Sequence, residues 1–351
     1  IMNNLYGVDI MKEAVEICKL RLFLKLAAQL QKPEDIEPLP DIDFNIKAGN
    51  TLVGYVRKEE LEASIRNNVE TGTLGFAKGL DEEVGAVDQI LEKAERADMA
   101  YDQFRQQQLY SRHENRLPAA KAKLQADLVD LAESLDQYLF EEYDKGGLGR
   151  AHGNEDNKAA RFTAWRASHE PFHWLVEFYG IMSRGGFDVI IGNPPYKALT
   201  VTESNSFSRY STSCTKNLYP LVMERCDDMV DTNGRQGFIV PVSSVSTDGY
   251  ESLQKTLRRR DLHYSSYDDR PAKLFDNLEH IRLTIHLLGR RNVTPYLYAT
   301  KYHKWFKVER DIIFANVRYV NVGQLIKGNS FPKIGCDVEA QIMSKLQAQK
   351  D

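Results

Sequence analysis

The sequence predicts an α/β protein built on a doubly wound sheet, interrupted by a large α-helical insertion. Short apolar strands alternate with helical stretches in two separate parts of the chain, the pattern of helices packed on a largely parallel sheet. One strand, Phe187-Asp188-Val189-Ile190-Ile191, is a near-continuous apolar run, as expected of a central parallel strand covered on both faces. Between the two parts, from about Arg57 to Gly180, the composition turns charged and glutamine-rich, with apolar residues at helical spacing.

Taken in order, Leu5 to Asp9 is a short strand ending in an acid. The following helix carries Ala14, Ile17, Cys18, Leu20, Leu24 and Leu26 near helical spacing, which completes a βα unit. Phe44 to Ala48 is the next strand, ending at the turn Gly49-Asn50-Thr51. In the charged region Asp81 can cap a helix bearing Val84, Val87, Leu91 and Ala94. Pro118 can start a second helix with Leu124, Leu128, Leu131, Leu135 and Leu139, so an antiparallel hairpin is expected. The glycines at 146, 147, 149 and 153 read as a loose linker. After the Phe187 strand come a helix from about Tyr219 to Val230, a turn at Asn233-Gly234 and a strand at Phe238 to Val240. Leu262 to Tyr267 and Ile281 to Leu288 are expected as the last two strands.

The chain has 351 residues, 42% hydrophobic and 27% charged, enough for one large or two modest cores. No segment has the run of roughly 20 apolar residues of a membrane helix, and no signal peptide is seen, so a cytoplasmic location is expected. Cys18, Cys214, Cys226 and Cys336 are far apart, which points to reduced thiols and to no metal site. The net charge of -4 excludes a wholly basic nucleic-acid binder. It hides an asymmetry, since Lys255 to Arg310 holds 13 Lys and Arg against 6 Asp and Glu. Lys255, Arg258, Arg259, Arg260, Arg290, Arg291, Lys301 and Lys304 are the candidate phosphate contacts, a solvated surface being the other reading.

The chemistry-bearing motif is Asn193-Pro194-Pro195-Tyr196, just beyond the carboxyl end of a strand, where open α/β sheets bind ligands. Adenine's exocyclic amine is a poor nucleophile because its lone pair is delocalised into the ring. Two acceptors aimed at its N–H bonds would pull the nitrogen toward tetrahedral geometry. The Asn193 side-chain oxygen and the Pro194 carbonyl can be those acceptors, and Pro195 restricts Pro194 to an extended conformation that aims its carbonyl. Tyr196 supplies a flat face for a base swung out of the duplex.

Asn-Pro-Pro-Tyr after a glycine-ended strand resembles the catalytic motif of N6-adenine DNA methyltransferases. The order of the surrounding segments resembles the branch found in type IIG restriction-modification enzymes and phage-defence methylases. Tyr6-Gly7-Val8-Asp9-Ile10, Gly49-Asn50-Thr51-Leu52, Pro171-Phe172-His173-Trp174, Gly186 to Gly192 and Gly234 to Pro241 carry this resemblance, which covers roughly residues 3–56 and 170–290. It implies a Rossmann-like methyltransferase sheet, S-adenosyl-L-methionine as cofactor and double-stranded DNA as partner. Asp9 with Ile10 would hold the cofactor ribose, Asn50 and Leu52 would lie near its adenine, and Asn193 would face both cofactor and base. An acid at a strand end is also a common helix cap. Phe275 either packs on the flipped base from the second side or belongs to the core; His280 and His286 are assigned no chemistry.

The implied organisation is a methyltransferase core in two parts, 1–56 and 181–295, around a helical insertion at 57–180. Residues 296–351 would be a linker or the start of a target-recognition domain. The chain opens at Ile1, already close to a strand, and lacks the glycine-rich first strand of complete members. A fragment that is inactive by itself and binds the cofactor weakly is therefore expected, with any nuclease and target-recognition domain outside it. The competing readings are a protein glutamine methyltransferase, which presents an amide to the same loop, and a degenerate DNA-binding subunit without catalysis.

Overall fold

The computed structural model describes residues 3–30, 32, 42–70, 80–110, 117–145, 157–278, 280–326 and 331–349. The expected glycine linker falls outside them, as do the side chains of Asp81 and Val84. The chain divides into two compact units, Ile1–Arg184 and Gly185–Asp351.

The first unit begins with β1 (Gly7–Asp9), α1 (Lys12–Ala27) and β2 (Ile46–Ala48), the two strands pairing in parallel with Asp9 opposite Ala48. The expected βα unit is present, but α1 uses a different face. Val15, with Leu22 beside it, packs on Ile42 and Ile46, whereas Ile17, Leu20 and Leu24 are each more than half exposed. The helix is apolar on more than one side, so spacing alone could not say which stripe the short sheet takes.

Besides α1, the described residues of this unit form α2 (Lys58–Glu70), α3 (Leu80–Tyr110), α4 (Leu117–Lys145), α5 (Lys158–His169) and two single turns, α6 (Trp174–Glu177) and α7 (Tyr179–Met182). Leu124, Leu128, Leu131, Leu135 and Leu139 of α4 are all buried, and Val87, Ala94 and Phe104 of α3 are buried too. Polar contacts fix the helices to the strands. Asn45, fully buried before β2, donates to the Leu5 carbonyl and accepts from the Tyr101 hydroxyl of α3 at 2.9 Å. In α4 the buried Asp136 accepts from Arg166 Nε at 2.8 Å and from His173 Nε2 at 3.0 Å. The backbone N–H of Tyr55 donates to His173 Nδ1, so the ring carries its hydrogen on Nε2, toward Asp136.

The second unit is one six-stranded mixed sheet. Its strands are β3 (Phe187–Gly192), β4 (Val230–Pro241), β5 (Arg260–Tyr267), β6 (Leu283–Arg291), β7 (Leu297–Ala299) and β8 (Val320–Asn321), in the spatial order β3-β4-β6-β5-β7-β8. β3 and β4 are parallel, and β6 runs antiparallel to both β4 and β5. Four helices, α8 (Val201–Ser206), α9 (Leu218–Met229), α10 (Ser243–Ser246) and α11 (Glu251–Leu257), connect the strands, and α12 (Asp337–Ala348) closes the chain. Tyr219, Leu221 and Leu253 from the helices and Phe238, Val240, Leu262 and Tyr264 from the sheet are each at most 2% exposed, which locates the core.

Three expectations are corrected here. β3 is an edge strand in this unit: it pairs only with β4 among the described residues, and Ile191 is 80% exposed. An apolar run reports what a strand can be buried against, and among the described residues β3 has no second neighbour. Asn233-Gly234 is not a turn before β4 but an excursion within it, where the register jumps from Phe187↔Val230 to Val189↔Arg235. A Cβ on Gly234 would sit 2.9 Å from the carbonyl oxygens of Phe187 and Asp188, so the excursion passes too close to β3 for any larger residue. Lastly, β5 and β6 are followed by two further short strands, β7 and β8, which lack a recognisable apolar run.

Candidate active site

β3 ends at Gly192 and delivers Asn193-Pro194-Pro195-Tyr196 beyond its carboxyl end. Asn193 and Pro195 are exposed, Pro194 is buried and Tyr196 is half-buried. The loop is pinned on its far side, where Leu199 N–H donates to the Lys216 carbonyl and Leu218 N–H to the Lys197 carbonyl, which ties it to the start of α9. The Tyr196 ring meets the buried Tyr219 edge-on at 6.4 Å. Its Oη lies 2.6 Å from Asn193 Oδ1 and 2.8 Å from the Ile239 carbonyl oxygen of β4. Burial pushes the Tyr196 pKa up to about 12, so the phenol is neutral at working pH.

All four motif residues line a cleft of about 510 Å³. The same cleft is lined by the β5–β6 connection, Leu274 to Leu278, and by Arg310. Phe275 is therefore part of the cleft and only partly buried, not a core residue. Arg310 Nη2 donates to the Leu274 carbonyl at 2.9 Å and holds the connection that carries Phe275. Sequence reasoning missed Arg310: it is 35 positions from Phe275 and stands in no motif. A second cleft of about 700 Å³, on another side of Tyr196, is lined by charged groups including Asp268, Asp269, Arg270 and Arg282.

The expected cofactor residues lie in the first unit, apart from Asn193. Asp9 ends β1 and is exposed; its Oδ1 accepts from the Met11 N–H at 2.8 Å, a local turn ahead of α1 and not a cap of that helix. Gly49 N–H donates to the Asp9 carbonyl, which brings the Gly49-Asn50 turn beside it. Asn50 Oδ1 accepts from Leu52 N–H at 3.1 Å and shapes that turn; Ile10 is half exposed and Leu52 is buried. The turn packs on the Pro171-Phe172-His173-Trp174 segment. Phe172 N–H donates to the Val53 carbonyl at 2.7 Å, and Trp174 Nε1 to Thr51 Oγ1 at 3.2 Å. These two motifs, 120 residues apart in sequence, are each other's packing surface.

The basic candidates separate by burial. Arg260 is 1% exposed, and its Nε donates to the buried Asp227 of α9 at 2.6 Å. That corrects its reading as a phosphate contact, because a cation sealed against a carboxylate presents no charge to solvent. Arg291 donates to the other Asp227 oxygen at 2.6 Å, and Arg259 lies 3.6 Å from it. Lys255 pairs with Glu251, Arg290 with Asp261 and Lys304 with Asp268, each pair at 3.1 to 3.9 Å and with the cation more than 60% exposed. Arg258 is partly buried beside Tyr296, and Lys301 is exposed. His286, fully buried, bonds Ser244 Oγ through Nε2, and its pKa is pushed down to about 3. Its inaccessibility leaves it a packing role, and His280 is exposed. Among the described residues no cluster suits a metal ion, and no helix is long and apolar enough to cross a membrane.

The family model described as Eco57I restriction-modification methylase matches residues 3–269. The chain belongs to the Eco57I restriction-modification methylase family. The match spans both β1 and the Asn193 loop. A protein of Methanocaldococcus jannaschii whose name reads type II restriction enzyme and methyltransferase is 31% identical over 290 residues, 73% of this chain. The chain spans 23% of the length of that relative. Among solved structures, the DrdV–DNA complex is 15% identical with a TM-score of 0.33, covering 44% of this chain and 19% of that one. A nuclease-deletion mutant of the Type ISP restriction-modification enzyme LlaGI, in complex with a DNA substrate mimic, is 16% identical with a TM-score of 0.32, covering 49% of this chain and 19% of that one.

Proposed function

We propose that this family member carries the methyl-transfer centre for the exocyclic amine of adenine in DNA, with S-adenosyl-L-methionine as methyl donor, within a restriction-modification or phage-defence enzyme of type IIG organisation. The observation that carries this reading is the cleft lined together by Asn193, Pro194, Tyr196 and Phe275. In this reading a flat heterocycle swung out of the duplex enters the cleft and stacks on its aromatic lining, and its amine then meets the Asn193 amide and the Pro194 carbonyl. Both acceptors turn the negative end of a carbonyl dipole toward a substrate nitrogen that becomes cationic as the new bond forms.

The residues of the first unit fit the donor. Asp9 Oδ2 has no partner among the described residues while Oδ1 is held by Met11, so the carboxylate is oriented with one oxygen free for a ribose diol. The Gly49-Asn50 turn, beside Asp9, would border the adenine of the same molecule, with Leu52 and Ile10 as apolar neighbours. When bound, S-adenosyl-L-methionine supplies a methyl group on a sulfonium, whose departure needs no catalytic base or metal. The chain's own part is to orient the amine, exclude water and hold the base. In this reading residues 57–180 are a helical insertion between the methyltransferase segments 1–56 and 181–295, and 296–351 are a linker or the start of a target-recognition domain. The exposed Lys255, Arg290, Lys301 and Lys304 supply charge for DNA phosphates.

The test is methyl transfer by the full-length protein from labelled S-adenosyl-L-methionine to unmethylated DNA, with the product nucleoside identified. Label should appear as N6-methyladenine, and Asn193→Ala should lower kcat by about 100-fold or more, the cost of one polarising group in a preorganised site. Full transfer by Asn193→Ala overturns the assignment of Asn193. With a peptide-chain release factor offered beside the DNA as the acceptor of a protein glutamine methyltransferase, label entering its glutamine and not DNA overturns the substrate.

A further inference from the structure

Behind the Asn193 side chain, one hydroxyl hydrogen faces two acceptors. Tyr196 Oη is 2.6 Å from Asn193 Oδ1 and 2.8 Å from the Ile239 carbonyl oxygen, both full hydrogen-bond distances. A phenol has a single hydrogen, and this one, with its pKa pushed up to about 12, keeps it throughout the working pH range. Given to Asn193, that hydrogen leaves Tyr196 Oη and the Ile239 oxygen lone pair to lone pair. Given to Ile239, it leaves the same conflict with Asn193 Oδ1.

The Asn193 amide can resolve the conflict, because its two ends are nearly isosteric and exchange places by a half-turn about the last side-chain torsion. With Nδ2 beside the phenol, the amide donates to Tyr196 Oη and Tyr196 donates to the Ile239 carbonyl. Every contact then has one donor and one acceptor. The outer position of the amide has no hydrogen-bond partner among the described residues, and Asn193 is exposed on the cleft. In the resolved arrangement that position is the carbonyl oxygen.

We propose that the Tyr196 hydroxyl, anchored on the Ile239 carbonyl of β4, is a positioning group that accepts from Asn193 Nδ2 and thereby fixes the Asn193 carbonyl toward the cleft. The inference rests on the reading above in which Asn193 accepts from a substrate amine. Only the carbonyl end can do that, since an outward Nδ2 would set N–H against N–H. Tyr196 thus has a second task that phenylalanine, which keeps the ring face, cannot perform.

The experiment is NMR of the full-length protein labelled with 15N-asparagine, the Asn193 side-chain pair being assigned by its loss in Asn193→Ala. In the unsubstituted protein one Nδ2 proton should show a cross-relaxation peak to the Tyr196 ring protons beside the hydroxyl, and Tyr196→Phe should shift that proton upfield. Absence of the cross-peak overturns the proposal whether or not Tyr196→Phe folds. In the kinetic arm, Tyr196→Phe should lower kcat about five- to tenfold, the net worth of one hydrogen bond, with KM for DNA unchanged. A wild-type kcat, or a change confined to KM, overturns the positioning role. Failure of the reading on which this rests is seen separately, as methyl transfer indifferent to Asn193→Ala or label entering an acceptor other than adenine, while the cross-peak reports the amide's orientation alone.

Discussion

Replacing Asp227 by alanine tests how the second unit handles its buried charge. Asp227 is 3% exposed and takes two strong donors at 2.6 Å, Arg260 Nε and Arg291 Nη2, with Gln236 Nε2 at 3.4 Å. Arg260 and Arg291 are also register partners across β5 and β6, so without the carboxylate two like charges face each other. Breaking a buried pair by removing one partner costs about 3–5 kcal/mol. The lower end applies here, because Arg260 Nη1 keeps the carbonyls of Asp231, Thr232 and Gly289 at 3.1 to 3.5 Å, and Arg291 reaches solvent. A loss of about 3 kcal/mol lowers Tm by roughly 6–12 °C for a folding unit of this size. Urea denaturation followed by tryptophan fluorescence, with Tm by calorimetry, measures it. The control is Asp227→Ala/Arg260→Met, which removes both charges and should recover more than half of the loss. A single variant within about 1 kcal/mol of wild type refutes the reasoning, as does a double variant less stable than the single.

Two further perturbations address the sheet and the motif turn. His286 is neutral in the fold, with a pKa pushed down from 6.5 to about 3 by burial. Its contribution is fully present above pH 6.5 and is lost as pH falls from there toward 3, where only the unfolded chain takes the proton. Stability measured from pH 7 to pH 4 should fall less steeply in His286→Gln than in wild type, and parallel curves would assign the acid limb to other groups. Gly54 has φ +145°, and a Cβ there would lie 2.0 Å from the Phe172 carbonyl oxygen. Gly54→Ala should therefore cost about 3 kcal/mol or more, or abolish soluble expression; a Tm within 2 °C of wild type, a shift of about 1 kcal/mol or less, would remove the close approach as its explanation.

Residue type and spacing carried much of this molecule. The α4 stripe from Leu124 to Leu139 is buried throughout because a leucine every three or four positions leaves a helix one face to bury. The Asn193 loop follows β3 because an apolar run ending in glycine and prolines can only be a strand that stops. Periodicity was silent where several burials were compatible with one pattern. In α1 it could not choose between the Val15 and Ile17 stripes. For Arg260 a run of basic residues looked like surface, until α9 supplied the acid that draws it inside. Phe275 and Arg310 join the cleft through the β5–β6 connection, which has no period to read.

What the sequence by itself determined is local: where strands and helices form, and that Asn193 to Tyr196 would stand at a strand's end. Tertiary structure alone decided which aromatic lines the cleft with that loop, which cations stay in water and which oxygen shares a hydroxyl with Asn193. The physical reason is that backbone pattern is set by neighbours in sequence, whereas burial, ion pairing and hydrogen-bond direction depend on partners brought together from 3 to about 120 positions away.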